Sequence, residues 1–530
     1  MFDNRPVEYC SFLITISCLI GLASCQDNAL SEMPPVEPPP SPVVEECAFV
    51  ELKLDGATCA LSAADKIFYY PIITAQTDFS PLVEVTDGEV AIKIDGKSIN
   101  NLAENDFGTI QLNRAIPIEL TDCEGTTSNY QLIFTSLPIL QIKTLNEAIV
   151  DEPKVAVELR FNDPNFEENE QKSREIKKIA GIEFRGGSSQ FYDKKAYALE
   201  IWEDTQRSDT EDLSFLDLRE DDDWILDGMS NDNLRMRNRV SMDVWRDFQP
   251  VPHQMESPKA NSGTSGRLIE LFIDDDYRGL YALSDRVDRK LLKLNKFEDG
   301  DDFGVLYKGE AWGKGVVRFD DYCAPNASTR NSWEGWVQQY PNPNNEAIVW
   351  TPLAELTDFV VNASDEDFVS EIADRIDLDN FISYYLYLNL IRGDDNVGKN
   401  TFLARVDSES PFFILPWDVD ATWGLFWNRD KVGPRGILSN GLFERLIATN
   451  PNNFTDRLKS RWAASRQDIF SYENLMGYFN HYAQQTNDNG VFERERRRWD
   501  IAETQEEELR FVENWLQERL AYLDNYFSEI

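Results

Sequence analysis

Histidine is close to absent from this sequence: His253 and His481 are the only two in 530 residues, they stand far apart, and neither sits in a partner pattern. That scarcity argues against Ser-His-Asp, Cys-His or His-ligated zinc chemistry. Cysteine is also sparse, with 7 residues and no C-x-x-C, so a zinc ribbon or thioredoxin-like site is not expected. Basic residues are outnumbered, 52 Lys+Arg against 94 Asp+Glu, for a formal charge of −42. A field of that sign repels polyanions and argues against unaided nucleic-acid binding. Beyond residue 23 no stretch is apolar enough to cross a membrane. Apolar mass is plentiful: 42% of residues are hydrophobic and 12% aromatic, enough for packed cores in more than one domain.

The run Ser11 to Ala23 is too short for a permanent span but has the length of an export-signal core. It ends in Leu22-Ala23-Ser24-Cys25, which resembles the bacterial lipobox, in which the cysteine is lipidated and becomes the mature N-terminus. The n-region departs from the usual basic pattern, carrying Asp3 and Glu8 against Arg5. The sequence thus reads as an exported, membrane-anchored lipoprotein with a signal peptide over residues 1–24. With Cys10 and Cys18 in the leader, Cys47, Cys59, Cys123 and Cys323 remain; a disulfide among the first three is expected in an oxidising compartment, with the pairing open.

Residues 25–46 are rich in Pro and Glu and read as an extended tether. From 47 to 136, short alternating runs (V-E-L-K-L, V-A-I-K-I, Y-Q-L-I-F) are broken by Asp-Gly pairs at 55–56, 87–88 and 95–96, the pattern of a small antiparallel, immunoglobulin-like β-sandwich. Residues 137–530 mix strands, at 155–161, 181–185, 196–201, 268–273 and 279–283, with helices; Phe511, Trp515, Leu516, Leu520, Leu523 and Phe527 recur at helical steps. The fold class is α+β.

Chemistry concentrates between Asp379 and Gly424. An apolar helix through Leu390 stops at Arg392-Gly393-Asp394-Asp395-Asn396-Val397-Gly398-Lys399-Asn400; a predicted hairpin, 401–406 and 412–415, then leads into Pro416-Trp417-Asp418-Val419-Asp420. A hairpin brings its ends together, so Asp395, Asn400, Asp418 and Asp420 are expected to converge. Clustered carboxylates repel, a divalent cation relieves the repulsion, and oxygen-only ligands suit Mg²⁺ or Mn²⁺. Asp395 and Asn400 stand five apart, the Asp-to-Asn spacing of the protein-kinase catalytic loop, although the His-Arg part is missing and W-D-V-D stands in place of D-F-G. By spacing alone D-x-x-x-x-N is common by chance, and a solvated acidic loop is the stronger reading.

The stretches R-G-G-S-S-Q-F-Y-D-K-K-A-Y-A-L-E-I-W-E-D (185–204), L-R-M-R-N (234–238), Y-R-G-L-Y-A-L-S-D-R-V-D-R-K-L-L (277–292), G-D-D-N-V-G-K-N-T-F-L (393–403) and L-P-W-D-V-D-A-T-W-G (415–424) resemble, in order, the motifs of the spore-coat protein H (CotH) kinase family. The resemblance implies an atypical protein-kinase-like fold and ATP-dependent phosphorylation, on serine, of a secreted or surface protein. It implies Asp395 as the catalytic aspartate that orients the acceptor hydroxyl, and Asn400 and Asp418 as metal ligands with Asp420 nearby. For the phosphate-contacting lysine it points to Lys194-Lys195, and strand alternation with Tyr197, Leu199 and Ile201 makes Lys195 the inward one. Arg185 with Gly186-Gly187-Ser188-Ser189 resembles a phosphate-covering turn, and Arg235 and Arg237 would neutralise phosphate. The family usually has Glu where Asp285 stands.

Two other readings remain open from the residues: a non-catalytic surface-binding lipoprotein, in keeping with 13 Trp and 19 Tyr, and a carboxylate-pair glycosidase. ATP is scarce outside the cell, so an exported kinase would meet its nucleotide before or during export, or use another donor. The anchor itself is testable: Cys25→Ala is expected to move the protein out of the membrane fraction, and a variant still membrane-bound after a high-salt wash would remove the lipoprotein reading.

Overall fold

The alternating segments after residue 50 do form strands. In the computed structural model of the protein, residues 51–530 are described apart from 86–89, 123–124, 170, 172, 299–301, 314, 327–328 and 488. The leader, Cys25, the tether, Cys47, Cys123 and the Asp-Gly pair at 87–88 lie outside the described residues. Cys59 is a buried free thiol and Cys323 an exposed one. Among the described residues, no helix is long and apolar enough to cross a membrane.

The first region is all β. A six-stranded sheet (Ala60–Ser62, Ile67–Pro71, Thr127–Thr135, Ile116–Thr121, Ala91–Ile94, Lys97–Ser98, in spatial order) and a four-stranded one (Ala57–Thr58, Leu52–Leu54, Leu82–Val85, Ala103–Glu104) enclose Leu54, Phe68, Tyr70 and Phe134. Asp55-Gly56 and Asp95-Gly96 turn with positive φ at both residues, as type I′ hairpins require. The expectation of a purely antiparallel arrangement fails where Thr127–Thr135 runs parallel to Ile67–Pro71 and Leu112 makes a parallel bridge to Phe134. No local pattern announces a pairing between strands so distant in sequence.

This region leans directly on the next one, within one compact unit that runs from residue 47 to the end of the chain. Tyr69 stacks on Tyr277 with ring centroids 5.4 Å apart, and Thr135 Oγ1 donates to Glu270 Oε2 at 2.5 Å. The second region is a closed seven-stranded barrel, in order Ile139–Thr144, Val155–Asn162, Glu175–Arg185, Ala196–Trp202, Asp223–Asp227, Asp276–Ser284 and Gly266–Ile273; the first and last close it as its one parallel pair. Tyr197, Leu199 and Ile201 fill its interior with Phe161, Trp224 and Leu271. A Cβ on Gly181 would fall 2.0 Å from the Trp202 ring, so the close barrel wall requires glycine there.

The third part joins helices to a five-stranded sheet, Ser332–Trp333, Trp336–Tyr340, Val305–Gly309, Thr401–Arg405 and Phe413–Pro416. Its central helix, Leu378–Ile391, is apolar nearly all round, and every residue but Asp379 is buried, as such a pattern demands. Each large aliphatic side chain it buries contributes about 1.5–3 kcal/mol. Asp377 caps it by accepting from Asn380 N, and Asn380 Oδ1 accepts from Ile414 N at 2.7 Å, tying the helix to the hairpin strand. The last helix, Gln505–Glu529, opens with a Thr504/Glu507 capping box and buries Trp515, Leu516, Leu520, Leu523 and Phe527.

From that helix the fully buried Arg519 donates to the carbonyls of Asn389, Pro434 and Gly436. Arg519→Met would keep most of the volume, orphan the buried acceptor Asn389 O and give up the contacts to the less buried carbonyls of Pro434 and Gly436. It is expected to lower unfolding stability by about 3 kcal/mol in denaturant titration; a loss under about 1 kcal/mol would show that water replaces the guanidinium.

Candidate functional site

At the end of the central helix, Arg392 takes a left-handed conformation (φ 52°), which stops the helix and turns the chain into a single 3₁₀ turn, Asp394–Val397. Asn396 then acts as a clamp. Its Nδ2 donates to the carbonyls of Asn400 at 2.8 Å and Trp417 at 2.7 Å, while its own carbonyl accepts from Tyr384 Oη at 2.8 Å. The two acidic loops are thereby fixed to each other and to the helix. Asn400 (φ 55°) and Asp418 (φ 51°) both adopt left-handed backbone, and Asn400 N donates to Gly309 O at 2.9 Å. A Cβ on Gly309 would fall 2.0 Å from Gly398 O, so the strand can approach the loop only through glycine.

Asp395, Asn400, Asp418, Asp420 and Arg185 all line one cavity of about 350 Å³ between the barrel and the five-stranded sheet. Asp227, Asn238, Lys308 and Lys399 line it as well. Asn400 Nδ2 lies 3.4 Å from Asp418 Oδ2, and Lys399 Nζ lies 3.4 Å from Asp395 Oδ2. Asp395 is buried, and among the described residues no hydrogen bond reaches its Oδ1 within ordinary geometry, although the Trp312 side chain stands near enough to favour the ionised carboxyl. Asp227 accepts from Met229 N and from Asn238 Nδ2, both at 2.8 Å. The Arg185 guanidinium lies 5.3 Å over the Trp417 ring.

Burial pushes the Asp395 carboxyl up, with Lys399 opposing. Asp418 opens onto the cavity while protein surrounds it; burial and the neighbouring Asp227 push its carboxyl up, against Arg185, Lys308 and Lys399. Asp420 is driven furthest, by burial and then by Asp418, Asp227, Asp232 and Asp395. Burial pulls Arg185 down, with Asp418 and Asp227 opposing. Oxygen donors that repel one another form the donor set that hard divalent cations take, and Arg185, Lys308 and Lys399 complement an anion.

Other sequence-predicted residues stand elsewhere. Lys195 does not enter the cavity: its Nζ donates to the carbonyls of Gln190 at 2.6 Å and Tyr192 at 2.7 Å, closing the turn Ser188–Phe191. The strand starts only at Ala196, and the side shared by Tyr197, Leu199 and Ile201 is the barrel interior, whereas Ala196 faces the cavity. Lys194 is buried, donating to Glu495 Oε1 at 2.5 Å, and burial lowers its ammonium to about 7 with Glu495 opposing.

Arg235 is likewise structural, donating to Glu495 Oε1 at 2.7 Å and to the carbonyls of Met229 and Asp232. Arg237 pairs with Asp232 and Glu508. From L-R-M-R-N it is Asn238, in the helix Arg237–Phe248, that reaches the cavity. Asp285 faces Arg219 at 3.5 Å, not a lysine. The side chain of Ser188 lies outside the described residues.

Among the described residues, two groups of three carboxylates come within 4.8 Å of one another, Glu200/Asp222/Asp223 and Asp212/Asp221/Asp222, and neither is at this cavity. Lys290 already bonds to all three of the second group, and Lys154 and Arg286 pair with the first.

A sequence profile for the family described as CotH kinase protein matches residues 182–523, which include every cavity residue named above. Inner spore coat protein H of Bacillus subtilis (strain 168) is similar at 21% identity over 296 residues, covering 56% of this chain and 73% of that protein.

The two lysines are separable by experiment. Lys194→Met breaks a buried ion pair and is expected to destabilise the protein by about 3 kcal/mol, while Lys195→Met, which gives up two carbonyl contacts of a surface turn, costs about 1 kcal/mol. Equal losses in thermal unfolding would contradict this placement.

Proposed function

Because the chain belongs to the CotH kinase family, we propose that it is a metal-dependent phosphotransferase that moves the γ-phosphoryl group of ATP to a hydroxyl, that of serine, on a secreted or surface protein. The observation that carries the reading is the convergence of Asp395, Asn400 and Asp418 in one cavity with Arg185 and Lys308. Phosphoryl transfer asks for positioning and charge neutralisation more than for a strong base, which suits a site without histidine.

Asp395 has the acceptor role. Its Oδ1, which accepts no hydrogen bond of ordinary geometry among the described residues, is available to a hydroxyl, and Lys399 keeps the other oxygen engaged. The hydroxyl oxygen forms the new bond to phosphorus as the bond to the bridging oxygen of ADP breaks, and the hydroxyl proton passes to the carboxylate. Asn400 and Asp418, with Asp420 and Asp227 behind them, would hold Mg²⁺ or Mn²⁺. Their carboxylates are too dispersed for three to meet within 4.8 Å, in keeping with an ion held by one or two carboxylates plus phosphate oxygens. The bound ion supplies neutralisation of phosphate charge.

A neighbouring chamber of about 460 Å³ shares Arg185, Ile225, Lys308 and Trp417 with the acidic cavity. Ala198, Leu306 and Phe402 offer a base some apolar surface in this otherwise polar chamber, and Arg185 and Lys308, which line both cavities, would meet the phosphates. Lys308 replaces Lys195 as the phosphate-contacting lysine of the proposal. The same reading keeps Cys25 as the lipid anchor of an exported enzyme.

Labelled ATP with Mg²⁺ or Mn²⁺ tests the assignment. Asp395→Asn is expected to bind nucleotide yet transfer about 10²-fold more slowly or worse. Asp418→Ala is expected to lose nucleotide binding and turnover together, and Lys308→Met to weaken nucleotide binding without unfolding. Full transfer by Asp395→Asn would contradict its role.

A further inference from the structure

Arg239 lines the acidic cavity from the helix Arg237–Phe248 and is 2% exposed, yet among the described residues no carboxylate comes within 4.0 Å of its guanidinium. Neighbouring buried arginines are matched: Arg235 pairs with Glu495, Arg237 with Asp232 and Glu508, and Arg494 with Glu270. The contacts of Arg239 are to Thr264, whose Oγ1 accepts from Nη2 at 2.9 Å and whose carbonyl lies 3.4 Å from Nη1. Nearby acids outside the cavity are engaged elsewhere. Asp285 accepts from Ser265 N at 2.8 Å and faces Arg219, while Asp243 pairs with Arg246 and accepts from Tyr482 Oη at 2.6 Å. Asp227, Asp395, Asp418 and Asp420 share the cavity with Arg239 and answer its charge only across open space. A guanidinium taken out of water without a contacting counter-charge is unfavourable in the free protein and calls for an anion.

The fold makes room for this charge. A Cβ on Gly266 would fall 2.5 Å from Arg239 Nη1, so the guanidinium occupies the space a side chain there would take. Arg246, from the same helix, holds the adjoining segment by donating to Ser265 Oγ at 2.9 Å. The position on the cavity wall is informative as well. Arg185 and Lys308 line both the acidic cavity and the neighbouring chamber, whereas Arg239 and Thr264 line the acidic cavity alone. Phosphates that pass Arg185 and Lys308 from a nucleoside in the chamber would therefore bring their far end to the Arg239 wall.

We propose that Arg239, steadied by the Thr264 hydroxyl, is an oxyanion subsite for the terminal phosphate of the nucleotide, the group that is transferred. This rests on the phosphotransferase reading and gives the terminal group a contact separate from Arg185 and Lys308. The planar guanidinium fork matches paired phosphate oxygens, and a fork bound only to a threonine keeps donors free that a carboxylate would occupy. Charge spreads over the oxygens of the transferring group, so a cation fixed beside them serves the transition state as well as binding. The missing counter-charge of Arg239 then arrives with the ligand.

The test is calorimetric titration of the full chain, with Mn²⁺ present, by a non-hydrolysable ATP analogue, by ADP and by inorganic pyrophosphate. Arg239→Met is expected to weaken the ATP analogue by about tenfold or more while ADP stays within about twofold of the parent. Arg239→Lys, which keeps the charge and loses the fork, should fall between the two. Thr264→Val removes only the hydroxyl that steadies the guanidinium; it should shift the ratio of the two affinities in the same direction, and it decides the matter if Arg239→Met does not fold. Equal weakening of the analogue and ADP, or an unchanged ratio in these variants, would overturn the subsite. A parent that takes up no nucleotide but binds pyrophosphate through Arg239 would uphold the subsite and remove the phosphotransferase reading. If the parent binds no nucleotide, and either binds no pyrophosphate or binds it regardless of Arg239, both fall.

Discussion

Carboxylates crowded into a partly buried cavity repel one another, and in this protein Asp227, Asp395, Asp418 and Asp420 are held in one such cavity. The repulsion has to be resisted by covalent and hydrogen-bonded structure, because three of the four are raised by burial and by their neighbours. The buried helix Leu378–Ile391 provides the fixed point, and Asn396 ties both acidic loops to it. Gly309 admits the strand beside them, and Asn238 bonds at once to Asp227 and to the backbone of Val419 at 3.3 Å. The cost of this arrangement is the kind that functional sites carry, a strained and charged geometry over-determined by its surroundings.

A second set of buried charges keeps the barrel in register with the helices. The helix Val491–Arg498 gives Arg494 to Glu270 and Asn113 on one side and Glu495 to Lys194 and Arg235 on the other. Arg235 in turn fixes the carbonyls of Met229 and Asp232, in the turn just after Asp227. The all-β region, the barrel wall and one edge of the cavity thus share a single strut. Removal of one member of such a network leaves the others charged and buried, which is why these residues are expected to govern stability more than chemistry.

Sequence reasoning reached the helix, loop, hairpin and loop between 379 and 424 because each step is local: an apolar run, a polar stop, alternation, a turn. Convergence of Asp395, Asn400, Asp418 and Asp420 needs only a hairpin. Asp227, Asn238 and Lys308 were missed because they arrive from the barrel, the helix Arg237–Phe248 and the central sheet strand, by contacts no local pattern encodes. Asn238 could have been noticed as the polar end of L-R-M-R-N. Lys195 precedes the strand by one residue, where alternation no longer sets direction, and the apolar side of that strand is the barrel interior and not the cleft. Barrel closure by a parallel pair was illegible for the same reason as the parallel pair of the first region: both join strands with long intervening chain.

The central claim is that the acidic cavity works as one metal–nucleotide site. Calorimetric titration of a non-hydrolysable ATP analogue into the full chain, with and without Mn²⁺, addresses it directly. The account predicts one site per chain whose affinity drops by at least about tenfold when the ion is withheld, because the repelling carboxylates are then left facing phosphate. Binding of equal strength in the absence of a divalent ion would contradict it.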